Sequence, residues 1–130
     1  QLVNVDFKRD LALIATITFA GDEMPIGVAR YARSDTDPNS AEFAITVADA
    51  WHGHGIGKRL LAQLVDYAAA ADIDRITGDV LATNTAMLAL ARSVGFRVTA
   101  HPDGSHVRLI TLALCDRRPT PTDLYEENEL

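Results

Sequence analysis

The chain has 130 residues, 48% of them hydrophobic, and a formal net charge of −6. This length and composition suit one globular domain with a buried core. The acidic charge argues against a nucleic-acid-binding protein, which presents a basic face to phosphates. The lone cysteine, Cys115, allows no internal disulfide, and no apolar run approaches the ~20 residues that span a bilayer. We therefore predict a cytoplasmic protein with no membrane partner.

Hydrophobic periodicity and turn residues predict six strands and two helices. The strands are expected at 11–19, 26–33, 41–48, 75–81, 96–99 and 107–114. The first helix is expected from about Gly55 to Ala71. The second is expected from about Asn84 to Val94, with Gly95 as its left-handed C-terminal residue.

A glycine-dense segment lies between the third strand and the first helix. Gly53, Gly55 and Gly57 occupy alternate positions there, followed by Lys58. Glycine adopts positive φ without steric cost and lets a backbone approach a ligand closely. The N-terminus of a helix offers unpaired N–H groups and the positive end of a dipole. The order strand, glycine loop, helix therefore predicts a phosphate-bearing cofactor, with a simple glycine turn as the alternative.

Spacing distinguishes this segment from two common phosphate loops. A Walker A loop requires glycine where the chain has His52 and Ser or Thr where it has Arg59; a dinucleotide fingerprint requires glycine at Lys58. The segment 52–57 instead resembles Gln/Arg-x-x-Gly-x-Gly/Ala, the pyrophosphate loop of the GNAT superfamily of acyl-CoA-dependent N-acetyltransferases. His52 stands in the Gln/Arg position.

Two further segments extend the resemblance. The strand and Asn at 80–87, followed by Gly-Phe at 95–96, look like the second GNAT signature. Ala-Glu-Phe-Ala at 41–44 is similar to GNAT domains of bacterial protein lysine acetyltransferases. The resemblance implies an α/β fold: a mixed, mostly antiparallel twisted sheet with flanking helices, opened between two central parallel strands.

The resemblance also bears on the domain's limits. GNAT domains normally begin with a strand and two helices that have no counterpart here, so we expect an N-terminally incomplete domain over 1–115. An acidic tail of net charge −3 follows at 116–130. Without the first strand, the apolar segment from Leu11 to Ile17 becomes a sheet edge. Exposed edges pair with other chains, so we predict self-association, in its simplest form a homodimer.

The resemblance further implies acetyl-CoA as cosubstrate. The backbone N–H groups of Val47 and Ala48 would bond the thioester oxygen and the pantetheine amides. Asn84 either caps the second helix or contacts the cofactor. The predicted cofactor-binding residues are Val47, Ala48, His52, Gly53, His54, Gly55, Ile56, Gly57, Lys58, Asn84 and Met87.

Glu42 is the candidate general base. At ~3.3 Å per residue, it lies ~20 Å along the chain from the glycine loop, a span comparable to an extended pantetheine arm. In the lysine acetyltransferases that the chain resembles, the Glu of the matching Ala-Glu-Phe-Ala acts as the base. The alternative is a solvated strand-end carboxylate. A carboxylate that points into the cleft favours catalysis, and one that faces solvent favours a non-catalytic role.

Two other features bear on chemistry. Many GNAT enzymes carry Tyr, as proton donor to the leaving thiolate, where this chain has Ala91. A thiolate with a pKa near 8.5 is a tolerable leaving group without a dedicated acid, and Ser93 or a water could substitute. The four histidines lack the Cys or acidic partners that complete a zinc site, so we predict no metal.

The function that these residues predict is transfer of an acetyl group from acetyl-CoA to an amine, with a protein lysine as the favoured acceptor. Two alternatives remain: a non-catalytic CoA-sensing or interaction module, and a small-molecule amine acetyltransferase. An open, acidic acceptor groove favours a lysine side chain on a protein, and a closed pocket favours a small amine.

Overall fold

A computed structural model of the chain describes residues 9–115. The elements are β1 (Asp10–Phe19), β2 (Asp22–Arg33), β3 (Ser40–Val47), a 3₁₀ turn (Asp49–Trp51), α1 (Ile56–Ala70), β4 (Arg75–Leu81), α2 (Thr85–Val94), β5 (Arg97–His101) and β6 (Gly104–Ala113). The strands form one sheet in the order β1-β2-β3-β4-β6-β5. All neighbours are antiparallel except β3 and β4, which are parallel. The predicted mixed, mostly antiparallel α/β fold is confirmed.

Both helices pack on the same face of the sheet and share one hydrophobic core with it. The apolar side chains that recur at helical spacing along α1 are buried, except for Ile56, which is partly exposed. Burial of each large aliphatic side chain stabilises the fold by roughly 1.5–3 kcal/mol. The largest fully buried side chains are Leu11, Leu61, Leu64, Ile73, Ile76, Ile110, Leu114 and Val65. Within residues 9–115, no element covers the opposite face.

The two parallel strands pair only over their first residues and then separate. Their register ends where Glu42 lies opposite Thr77. Just beyond, the Phe43 ring packs against Gly78, which has no side chain. A Cβ on Gly78 would lie only 2.7 Å from Phe43 Cε1, so the ring occupies the space that a larger residue would need. The ring of Phe96, which follows α2, lies behind Phe43 with a centroid separation of 5.2 Å. The sheet is therefore open between the carboxyl halves of β3 and β4.

The turn between β1 and β2 is shorter than the sequence predicts. Turn-forming residues occupy 20–25, yet β2 already begins at Asp22 and only two residues make the turn. Ala20 and Gly21 both have positive φ, 52° and 86°, as a two-residue type I′ hairpin turn requires. A bulge at Ile26, where the pairing register shifts, accommodates the extra residue.

Some predictions lie outside the described residues. The acidic tail at 116–130 and the chain start at 1–8 are among them, so the division into a domain and a tail stays a prediction. Within residues 9–115, neither helix has the length and apolar character needed to cross a membrane.

Self-association through β1 stays a prediction that sedimentation velocity can test. Among the described strands, β1 is first in the sheet order and pairs with β2 alone, and Phe19 at its end is 63% exposed. We expect the chain to form dimers at roughly tens of micromolar, and Phe19→Lys to weaken them because a charge there opposes edge pairing. A monodisperse monomer over that range would contradict the prediction.

Candidate functional site

A cavity of about 560 Å³ occupies the opening between β3 and β4, bounded by the N-terminal parts of α1 and α2. Clefts at the carboxyl ends of parallel strands are common ligand sites in α/β proteins. Nine of the eleven predicted cofactor residues line it: Val47, His52, Gly53, Gly55, Ile56, Gly57, Lys58, Asn84 and Met87. The other lining residues are Ile45, Thr46, Asp49, Trp51, Ala86 and Leu90. The structure thus brings the glycine loop and the second signature together.

The three glycines of the loop have two different roles. Gly53 and Gly55 have φ of 83° and 79°, in the left-handed region, and a Cβ on either would meet no atom within 4 Å. Gly57 lies inside α1, where a Cβ would be 3.2 Å from Leu90 Cδ2 of α2. Two glycines therefore shape the loop, and the third lets the two helices approach each other.

The N-terminus of α1 faces the cavity with its first N–H groups uncapped. Gly55 precedes the helix and supplies no side-chain cap, and the first turn contains no acidic residue. The first helical N–H bond is from Arg59 to the Gly55 carbonyl, at 3.1 Å. The N–H groups ahead of it have no intrahelical acceptor, and Lys58 adds a cationic side chain to the lining. Such an end favours a phosphate or diphosphate group.

His52 bonds to the end of β3. Its Nε2 lies 2.8 Å from the Val47 carbonyl oxygen and 3.8 Å from Asp49 Oδ1. His54, which is exposed and does not line the cavity, instead has its ring 5.5 Å from that of Trp51, centroid to centroid. His52 is therefore bonded to the end of β3, whereas His54 lies beside Trp51.

The strand ladder corrects one predicted hydrogen bond. The Ala48 N–H donates to the Ile26 carbonyl at 2.8 Å and is not available to a cofactor. Because successive residues of a strand direct their N–H groups to opposite sides, the N–H groups of Val47 and Ile45 point toward the opening instead. The backbone donors facing the cavity are thus two residues apart, not adjacent, and Ile45 is the residue that the sequence-based prediction missed.

Asn84 caps α2. Its Oδ1 accepts from the Met87 N–H at 3.1 Å. Asn84 also lines the cavity, so a cofactor contact by its amide nitrogen is compatible with the cap. The cap interpretation is confirmed, and the cofactor contact stays a prediction.

Glu42 lies on the opposite face from the helices, at the last paired position between β3 and β4. It is exposed, and it lines a second cavity of about 440 Å³ together with Asp10 and Arg30. Asp10 and Glu42 both lie opposite Ala32, so a small side chain separates the two carboxylates. Strand β3 therefore borders both cavities, with residues 45–47 on the first and residues 42–44 on the second.

The position that carries Tyr in many GNAT enzymes is occupied here by a buried residue. Ala91 is fully buried in the core. Ser93, the substitute considered for protonating a thiolate, does not line the cavity, and its hydroxyl donates to the Leu90 carbonyl at 2.7 Å. Across residues 9–115, no three His, Cys, Asp or Glu side chains form a group that could hold a metal ion.

Known proteins resemble this chain in sequence and in fold. The profile described as the Acetyltransferase (GNAT) family matches residues 5–96. Acetyltransferase PA5475 of Pseudomonas aeruginosa is 30% identical over 114 residues, which cover 88% of this chain and 61% of the relative. The GNAT domain of S. lividans PAT has a TM-score of 0.72 and 25% identity, covering 85% of this chain and 64% of that one. Salmonella typhimurium yncA, solved with its cofactor acetyl-CoA, has a TM-score of 0.66 and 24% identity, covering 86% and 68%.

The fold, the opened sheet and the glycine loop define an acyltransferase-like α/β domain. The chain belongs to the GNAT acetyltransferase family. It spans about three fifths of the length of the Pseudomonas relative and 64% of the S. lividans chain.

Proposed function

We propose that the chain binds acetyl-CoA in the opening between β3 and β4 and transfers the acetyl group to an amine, with a protein lysine as the favoured acceptor. The observation that carries the proposal is the cavity that joins the glycine loop, the free N-terminus of α1 and the unpaired edge of β3. These are the three features that a diphosphate attached to an extended amide-bearing arm requires.

The proposed orientation of the cofactor follows from these features. The diphosphate lies against Gly53, Gly55 and the first N–H groups of α1, near Lys58. The pantetheine arm runs along β3 toward the rung at which the strands join, accepting from the Val47 and Ile45 N–H groups. Those donors would also polarise the thioester carbonyl as its oxygen gains charge during attack.

Glu42 is the proposed general base. From Val47 to Glu42 the strand covers roughly 17 Å at ~3.3 Å per residue, so Glu42 stands near the thiol end of the arm. Its carboxylate accepts the proton of the acceptor ammonium, directly or through one water. The free amine then attacks the thioester carbon, the C–S bond breaks, CoA leaves as thiolate, and the nitrogen gives its remaining extra proton to solvent water as the amide forms. With Ala91 buried, water is the proposed source of the thiolate's proton.

The acceptor is proposed to approach from the face that carries Glu42. The cavity there contains two carboxylates, from Asp10 and Glu42, that attract a protonated amine, and its other charged group is Arg30. Because Glu42 and Arg30 are exposed, the site is open, and an open site favours a lysine on a protein over a small amine.

One observation favours a non-catalytic CoA-binding module as the second candidate. Glu42 is exposed and does not line the cofactor cavity. A solvated carboxylate without a catalytic role would have the same exposure. A small-molecule amine acetyltransferase is the third.

Release of free CoA thiol distinguishes these candidates. With acetyl-CoA and a lysine-containing peptide, we expect thiol release and mass addition on the lysine Nε. The same peptide with its lysine dimethylated should release none above background. Activity confined to a panel of small amines would favour the third candidate. CoA binding without any transfer would favour the module.

A further inference from the structure

We propose that His52 is a positioning residue that acts through the Val47 carbonyl rather than by touching the cofactor's diphosphate. This inference rests on the proposed function, because its consequence is the correct presentation of β3 to acetyl-CoA. It also revises the role that the sequence suggests, since the matching position of the glycine loop was expected to bind the cofactor.

The direction of the Val47 carbonyl follows from the ladder between β2 and β3. The Ala48 N–H donates to the Ile26 carbonyl, so the N–H and C=O of Val47 point the other way, toward β4. The ladder with β4 has already ended at Glu42, five residues earlier. Among residues 9–115, therefore, no neighbouring strand donates a hydrogen bond to the Val47 carbonyl. His52 Nε2, at 2.8 Å, is the donor that it meets instead.

The chemistry of this contact fixes the proton on the histidine ring. A carbonyl oxygen only accepts hydrogen bonds, so Nε2 must carry the hydrogen. A neutral imidazole has one N–H, and this contact uses it. The remaining nitrogen, Nδ1, then presents a lone pair, which a phosphate oxygen avoids. The Nε2 hydrogen is thus committed to the Val47 carbonyl and is not available to the diphosphate.

The contact has two effects on the cavity. It closes the chain from Val47 to His52 around the 3₁₀ turn, where the His52 N–H also donates to the Asp49 carbonyl at 3.2 Å. It also supplies a hydrogen-bond donor to the Val47 carbonyl oxygen, which would otherwise face the phosphates and the amide carbonyls of the cofactor. Both effects keep the Val47 N–H directed at the pantetheine arm.

The test compares His52→Ala with His52→Gln, whose side-chain amide keeps an N–H donor but no positive charge. Each variant is assayed with acetyl-CoA and with S-acetylpantetheine, which lacks the diphosphate. We expect His52→Ala to lower kcat/KM about tenfold with both donors, mainly through KM, because loss of the hydrogen bond that holds the end of β3 costs that order of free energy. We expect His52→Gln to return it to within about threefold.

Three results would overturn the inference. The first is a loss in His52→Ala that occurs with acetyl-CoA and disappears with S-acetylpantetheine, because the histidine would then act on the diphosphate. The second is failure of His52→Gln to restore activity. The third is an unchanged Val47 carbonyl ¹³C shift in cofactor-free His52→Ala protein. The ¹³C shift is measured without cofactor, so it decides the role of His52 independently of catalysis. If wild-type protein binds no acetyl-CoA, the proposed function is refuted, and the ¹³C shift still tests the contact between His52 and Val47.

Discussion

Gly55→Val is expected to weaken CoA binding by at least about tenfold while the protein stays folded. Gly55 has φ of 79°, and a β-branched residue there costs roughly 1–2 kcal/mol of backbone strain. No atom lies within 4 Å of the added Cβ, so the substitution causes no clash in the core. Gly55 lines the cavity, so we expect the new side chain to compete with the proposed diphosphate for space there. Isothermal titration with CoA measures the loss, and circular dichroism checks the fold.

Gly21→Val is the matched control for this experiment. Gly21 also has positive φ, 86°, and a Cβ added there would likewise meet no atom within 4 Å, but it lies in the β1–β2 turn rather than at the cavity. Both substitutions should lower the free energy of unfolding by a similar amount, and only Gly55→Val should reduce CoA affinity. Equal affinity in folded Gly55→Val and wild-type protein would contradict the assignment of the loop.

The sequence predicts the glycine loop and the cap of α2 well because local requirements determine them. Positive φ at Gly53 and Gly55 favours glycine, and a glycine-rich start to an amphipathic helix is visible in any sequence. The cap at Asn84 is equally local, since it links residues three apart in the chain. Such features need no knowledge of distant partners.

The predictions that changed depend on pairing between distant residues. Turn-forming residues fill 20–25, so composition alone could not show that the turn uses only Ala20 and Gly21 and that a bulge follows at Ile26. Which backbone groups of β3 face the opening depends on the partner of Ala48, namely Ile26. The alternation of N–H directions along a strand would nevertheless have excluded two adjacent residues as joint donors to one side.

The environment of Glu42 also depends on pairing between residues that are distant in the sequence. The sequence places it early on the third strand, and the structure adds that it occupies the last rung before β3 and β4 separate. That rung depends on a parallel pairing between strands more than thirty residues apart in the sequence. Its exposure, and its place beside Asp10 and Arg30 in a separate cavity, likewise depend on strand order. The predicted catalytic role therefore awaits a kinetic test.

Glu42→Gln is expected to lower acetyl transfer at pH 7 by about 10²–10⁴-fold, the usual contribution of a positioned general base. An unperturbed lysine amine has a pKa near 10.4, so only about one in 10³ is unprotonated at neutral pH. The loss should therefore shrink as pH rises toward that value, because solvent then supplies the free amine. Affinity for acetyl-CoA should not change, since Glu42 does not line the cofactor cavity.

Glu23→Gln supplies the matched control, because Glu23 is also an exposed strand carboxylate but lies near the β1–β2 turn. It should retain wild-type transfer at every pH. If Glu42→Gln transfers acetyl groups within a few-fold of wild type at pH 7, the base lies elsewhere or water suffices. If it abolishes CoA binding as well, Glu42 has a structural role. A loss that is large at pH 7, shrinks with rising pH and leaves CoA affinity intact has one explanation among these: the carboxylate removes the acceptor's proton.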